Sequence, residues 1–378
     1  MAALSRINAR STHMTRKLLP FLMVLLCLGA QARERWTPEQ ANAWQASTPW
    51  LVGANYIPAY AINQLEMWQA DTFDPAAIDR ELGWAQSIGM NAMRVFLHDL
   101  LWQENAKEFT RRIERFLAIA DQHHIRVLFV IFDSMWEPEP KLGAQHSPIP
   151  GVHNSGWVQS PGASTLADPA QELRLEAYAK GVIRAFATDR RVIGWDLWNE
   201  PARERRVQAL IGKVFDWARS ADPSQPLTSG VCCDGGWVKG KPDALESIQL
   251  NQSDVLSFHD YNWPEKMEAE ISQLKRYGRP LLCTEYLARG AGSTFEGALP
   301  LGKREKIAMF NWGLVDGKTQ TRLPWDSRER PYIKSEPVVW HHEIFHADGT
   351  PYRQAEIDLI RRLTEAPASA DRGGQRPQ

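Results

Sequence analysis

Cysteine is scarce in this chain, four in 378 residues, and neither charge dominates, with 44 basic side chains against 45 acidic ones. An odd, sparse set of thiols in the mature chain (Cys232, Cys233 and Cys283) makes no disulfide framework. All three are expected to be small buried hydrophobes on strands, and adjacent Cys232 and Cys233 are poorly placed to bond to each other. A balanced charge argues against a polyanionic partner, so no nucleic-acid binding is expected. No G-x-G-x-x-G or P-loop pattern accompanies Gly235 and Gly236, which read as a loop turn, so no cofactor is expected. The pairs His123-His124 and His341-His342 lack the spacing of a ligand set with carboxylates or thiolates. A helix end and a surface turn are expected there, and no metal. Neither an internal repeat nor an inter-domain linker is visible.

Long apolar runs are absent too. The stretch 18–28 holds about eleven residues where a membrane span needs roughly 20. It follows Arg16-Lys17 and precedes Gly29-Ala30-Gln31-Ala32, the order of an export signal with its cut after Ala32. Translation starts at Met1 or Met14 on this reading. The mature chain is expected outside the cytoplasm, periplasmic or extracellular, with no membrane attachment after cleavage. Cleavage removes Arg6, Arg10, Arg16 and Lys17 and no acid, moving the net charge from −1 to about −5. Residues 366–378 are small and polar, a disordered tail. One domain is left, residues 33–365.

Within it, short β-branched or aromatic runs alternate with amphipathic stretches, the pattern of βα units around a parallel sheet. Strands are expected at 51–57, 92–97, 126–133, 192–198, 227–232, 255–259, 281–285 and 308–314. Eight such runs predict an α/β chain folded as a single (β/α)8 TIM barrel, which needs roughly 250 residues plus insertions. Asp74-Pro75 opens one helix; Phe109, Ile113, Phe116, Leu117 and Ala120 mark a second; Asp168-Pro169, with Gln171 set for a capping box, opens a third; 355–363 is the last. The connections 134–167 and 319–337, after strands three and eight, are too long for turns and are expected to wall a cleft.

Two acids stand at strand ends: Glu200, in Trp198-Asn199-Glu200-Pro201, closes the fourth run, and Glu285 the seventh. In a closed barrel both project from the C-terminal rim. A pair of carboxyl groups roughly 5–5.5 Å apart can split a glycosidic bond with retention, one protonating the leaving oxygen and the other attacking the anomeric carbon. The apolar Trp195 and Trp198 and the charge of Glu285 are expected to keep Glu200 protonated, while Arg94 and Tyr261 keep Glu285 ionised.

With its neighbours, this pair resembles glycoside hydrolases of clan A, and within them family 5, the cellulase and mannanase family. The resemblance runs from about residue 51 to 363. It implies that Glu200 is the acid/base, that Asn199 binds the sugar 2-hydroxyl, and that Glu285 in Thr284-Glu285-Tyr286 is the nucleophile. It further implies that Arg94 supports the nucleophile, that His259 and Tyr261 of His259-Asp260-Tyr261 adjoin it, and that Trp312 on strand eight is a sugar platform. Where the family usually carries a His after strand three, this chain has Asp133 in Phe132-Asp133-Ser134-Met135-Trp136, so Asp133 and Trp136 are expected substrate contacts. The expected activity is hydrolysis of a β-linked glucan or mannan by double displacement. Alternatives are a transglycosylase using the same residues, a non-catalytic carbohydrate-binding barrel, and a metal hydrolase on the same scaffold. Of sixteen tryptophans, Trp195 and Trp217 are expected in the core. Tyr56, Tyr60, Trp68, Trp102, Trp136, Trp157, Trp237, Trp263, Trp312 and Trp325 are expected on the cleft side, about half of them touching sugar. Endo or exo action and oligomeric state are not readable at this level.

Overall fold

Each apolar run of the sequence becomes one parallel strand, because strands covered on one side by helices and on the other by the barrel interior need no polar face. The computed structural model describes residues 32–233 and 235–365. The expected leader up to residue 31 and the tail from 366 lie outside the described residues. The strands are β1 Val52–Asn55, β2 Ala92–Phe96, β3 Arg126–Asp133, β4 Val192–Asn199, β5 Leu227–Thr228, β6 Leu256–His259, β7 Leu281–Tyr286 and β8 Ala308–Trp312. They pair in the order β5-β4-β3-β2-β1-β8-β7-β6. The ring closes through a parallel bridge between Val231 and Phe258, with Val231 N donating to Ser257 O (3.1 Å) and His259 N to Val231 O (3.0 Å).

β5 is shorter than the expected 227–232 because side chains replace its ladder. Ser229 Oγ donates to Trp198 O of β4 at 2.8 Å, and Ser229 N donates to Ser253 Oγ. Gly53 is dictated by spacing, since a Cβ there would stand 1.8 Å from Ala92 O across the β1–β2 seam. Its partner register sets Asn55 opposite both Arg94 and Trp312. On the far side Asp133 lies opposite Asn199. A register shift between Phe258 and His259 sets His259 opposite Glu285. Bulges next to active sites re-aim side chains in this way.

The barrel floor is apolar: Leu51, Ala92, Leu128, Ile193, Val255, Leu282, Ala308 and Phe310 form one cluster, covered by Trp36 and Trp44. The lid on that end is helix Pro38–Ser47, which starts with a Thr37–Gln40 capping box. Asp74 caps helix Pro75–Ser87 by accepting from Ala76 N and Ala77 N, with proline in the first turn. The second expected helix begins ten residues earlier than its stripe suggests, at Asp99–Gln122, with a break in helical geometry at Asn105. After Asp168-Pro169 a 3-10 turn, Pro169–Gln171, precedes helix Glu172–Ala185; Asp168 bonds Ala170 N and the Gln171 amide instead of forming a capping box. Trp195 and Trp217 are core residues, as expected.

No helix among the described residues is long and apolar enough to cross a membrane. Gly53→Ala should destabilise the fold by about 2 kcal/mol or more, since a methyl against a backbone carbonyl cannot be relieved by a rotamer change. Urea unfolding would measure it, and a loss below about 0.5 kcal/mol would mean that the β1–β2 seam can widen.

Candidate active site

The polar end of the barrel is organised by Arg94, which is fully buried in mid-β2. All five of its N–H groups are used. Nη1 donates to Asn55 Oδ1 (2.7 Å) and Glu285 Oε1 (2.8 Å), Nη2 to Asn199 Oδ1 (2.7 Å) and Asp196 Oδ2 (2.8 Å), and Nε to Asp196 Oδ2 (3.0 Å). A guanidinium cannot shed its charge, so it must be fully paired to be buried. Strands β1, β2, β4 and β7 are thereby tied at one level. Sequence reasoning missed Asp196 and Asn55, although a lone acid inside Val192–Asn199 was a usable signal.

Glu285 receives two donors, Arg94 Nη1 on Oε1 and Tyr261 Oη on Oε2 (2.7 Å), and His259 Nδ1 stands 3.5 Å from Oε2. Glu200 has one close partner, His259 Nδ1 at 2.8 Å. It sits just past β4 with φ +38, a left-handed conformation that costs a non-glycine residue about 1–3 kcal/mol and clusters at functional sites. One oxygen of Glu200, one of Glu285 and a ring nitrogen of His259 lie within 4.8 Å of one another. Two oxygens that close are compatible with the roughly 5–5.5 Å separation of carboxyl groups that serves double displacement. Three such atoms also have the span of a metal site, but both Glu285 oxygens already accept donors and Arg94 sets a positive charge beside them.

Burial pushes Glu200 up to about 7, with Arg94 acting in the opposite direction. Desolvation, not repulsion by Glu285, is therefore the main cause. Trp195 and Trp198 do not supply it, since both pack in the layer between strands and helices. Burial also moves Glu285 upward, against His259, Arg94 and Tyr261 and with help from Glu200. This corrects the expectation that Arg94 and Tyr261 outweigh burial. The two acids differ in their partners: Glu285 is compensated by Arg94 and Tyr261, whereas Glu200 has the single histidine contact. Burial pushes His259 down to about 4, so its ring is neutral at neutral pH.

Asn199 is oriented without ambiguity. Arg94 can only donate, so the amide oxygen faces it, and Nδ2 donates to Asp133 Oδ1 at 3.0 Å. Its second N–H is free for a ligand in the cavity that it lines. Asp133 itself is not the expected substrate contact. It is buried, and its oxygens accept from Asn199, Met135 N, Trp157 Nε1 (2.6 Å) and Gln64 Nε2, so it holds Asn199 and the wall from behind. Burial pushes it up to about 7 against those donors.

The cavity over the two acids measures about 290 Å³. Of the expected rim aromatics it is lined by Trp136, Trp157, Trp312 and Trp325, with Tyr261. Trp68 and Trp237 are instead buried in the core, and Tyr56 is buried with its hydroxyl on Glu81. A larger groove of about 390 Å³ at the opposite end, beside Trp44 and Trp50, holds no acid pair. Two further corrections concern His341-His342, which are buried instead of on a surface turn, and Cys233, which is exposed and lines the cavity. Cys283 is buried as expected, Cys232 is half-buried, and the Cys232 and Cys233 sulfurs stand 3.1 Å apart, unbonded. His123 caps a helix end, as expected.

No family model and no curated protein matches this chain. Solved structures do. GH5_18 from Streptomyces cattleya, in complex with GlcNAc, superposes with TM-score 0.56 at 14% identity over 84% of this chain and 81% of that one. The exo-beta-1,4-mannosidase from Opitutaceae bacterium strain TAV5 gives 0.57 at 19% over 83% and 59%. The endo-beta-1,4-mannanase from Thermotoga petrophila gives 0.53 at 15% over 83% and 76%. The fold resembles that of glycoside hydrolase family 5. At such identities the likeness establishes the barrel, and the chemistry has to be argued from the side chains.

Arg94→Met should cost about 3–5 kcal/mol near pH 8, because Asp196 and Glu285 are left buried without their cation. The variant's folded acids would hold protons more tightly than its unfolded ones, so stability should recover as pH falls to 5 and be lost as it rises. Denaturant unfolding at both values checks this; an equal deficit at each would locate the effect outside the ion pairs.

Proposed function

We propose that this chain is a retaining β-glycosidase acting, after export, on a neutral β-linked glucan- or mannan-type saccharide. The observation that carries this reading is the close acid pair with unequal partners: Glu285 held by Arg94 and Tyr261, and the half-buried Glu200 with a single histidine. Export rests on the apolar leader alone.

In this reading Glu200 gives its proton to the glycosidic oxygen while a Glu285 oxygen attacks the anomeric carbon and forms a glycosyl ester. Glu200, now ionised, then removes a proton from water, whose oxygen displaces Glu285 and leaves the configuration retained. Arg94 on Oε1 and Tyr261 on Oε2 keep the nucleophile aimed. The free N–H of Asn199 is placed for the 2-hydroxyl. Trp312, edge-on to Trp157 at 5.7 Å, supplies an apolar face for the sugar ring.

Glu200→Ala and Glu285→Ala should each lose about 10³-fold or more in turnover of an aryl β-glycoside. Azide should then discriminate between them. In Glu200→Ala it attacks the ester formed on Glu285 and gives a β-glycosyl azide; in Glu285→Ala it attacks directly and gives the α-anomer. Full activity in either variant would discard the assignment.

The pH dependence follows from the same pair. With Glu200 near 7, activity should fall as pH rises through about 7 and the acid is lost. It should also fall at low pH as Glu285 takes a proton, at a point above the usual carboxylate range. Glu200→Gln should abolish the alkaline limb for substrates whose leaving group needs no proton; a limb that persists there would belong to another group.

A further inference from the structure

The walls of the cleft are unequal. Around the ring, the insertions after β3 and β8 reach towards each other over β2 and β1, and they are joined by backbone. Asn154 N donates to Thr319 O (2.8 Å) and Tyr332 N to Gly151 O (2.9 Å). Gln320 Nε2 donates to Ile149 O (2.8 Å), Arg328 Nη2 to Asn154 O (2.9 Å), and His153 N to Ser327 Oγ (2.9 Å). The Arg328 guanidinium also lies 3.6 Å over the Trp136 ring. On the opposite side, above β4, β5 and β6, no such pairing of insertions is found among the described residues. There a second depression of about 220 Å³ adjoins the first, sharing Glu200, Cys233 and Tyr261 with it and adding His259 and Asn262.

The position of the acid tells the two sides apart. Glu200 would protonate the departing oxygen, so the leaving group lies on its side, over the open depression. The sugar that becomes attached to Glu285 lies under the joined insertions.

Three polar groups of that wall have no other task. His153 Nδ1 donates to Leu323 O (2.8 Å) and His342 Nδ1 to Leu287 O, which leaves Nε2 of each ring as an acceptor. Both rings line the cavity, 5.4 Å apart. Burial holds His153 down to about 3 and His342 well below the usual imidazole range, so neither is a cation for an acidic sugar. Asn154, also in the cavity wall, is 1% exposed with φ +47, and its Oδ1 has no partner within the protein. A buried acceptor left unpaired costs about 1–3 kcal/mol and calls for a donor from elsewhere.

We propose that the joined β3 and β8 insertions close the cleft one sugar beyond the scissile bond. The protein then works from the non-reducing chain end and releases single sugars, whose outer hydroxyls donate to Asn154 Oδ1 and to Nε2 of His153 and His342. This rests on the glycosidase reading above and adds the mode of attack and the residues that set it.

The test uses 4-nitrophenyl β-mannoside and β-glucoside, together with mannopentaose and cellopentaose carrying a free or a 4,6-O-benzylidene-blocked non-reducing end. Monosaccharide should be the first product from the free pentasaccharide that is cleaved, and blocking should slow release at least about 10²-fold. His342→Gln and Asn154→Ala should each raise KM for the aryl glycoside about tenfold with kcat within about threefold, and remain folded at the assay temperature, as melting curves would show. Larger fragments released from blocked substrate at an undiminished rate, or unchanged KM in both variants, would overturn the proposal while aryl glycoside cleavage keeps the glycosidase reading. No turnover of any of these compounds would end both.

Discussion

One buried cation governs the polar end of this barrel. A guanidinium taken out of water must be repaid donor by donor, and Arg94 meets that demand with Asn55, Asp196, Asn199 and Glu285 from three other strands. Each partner is thereby fixed in rotamer and, for Asn199, in the sense of its amide. That orientation passes to Asp133, and from Asp133 to the Trp157 indole and the Gln64 amide. The insertion after β3 is therefore anchored to the same cation as the nucleophile candidate. Distances among the groups above the barrel follow from how one side chain is satisfied below them.

Division of labour between the two acids comes from the same scarcity of water. Both are pushed towards neutrality by burial, and they differ in what the protein gives back. Glu285 is compensated by a cation and a phenol, whereas Glu200 has a neutral imidazole and a strained backbone position. That inequality of partners is what the proposed proton donor and nucleophile require. The barrel floor shows the contrast: there, a cluster of apolar side chains with no titratable member packs under the helix Pro38–Ser47.

Much of this was legible in the chain. All eight strands fall where apolar runs predicted them, because a strand buried on both faces has a composition that no loop shares. Glu200 and Glu285 stood out as acids at the ends of such runs, and Arg94, His259 and Tyr261 through the family resemblance. Asp196 did not, since its meaning depends on a partner 102 positions away. The rim aromatics were over-read: strand-end position alone does not separate Trp312, which faces the cavity, from Trp68, whose indole bonds Phe96 O in the core. His341 and His342 were misread because two adjacent polar residues near glycine and proline resemble a turn, and only the packing of two distant insertions encloses them.

The sequence by itself determined the barrel and the candidates for its acids, because burial patterns and strand-end positions are local properties recorded in residue order. Tertiary structure alone decided which acid receives the cation and the phenol, that Asp133 supports instead of contacts, and that one side of the cleft is walled. Those outcomes depend on desolvation and on donors brought from other strands and loops, and neither exists until the ring has closed.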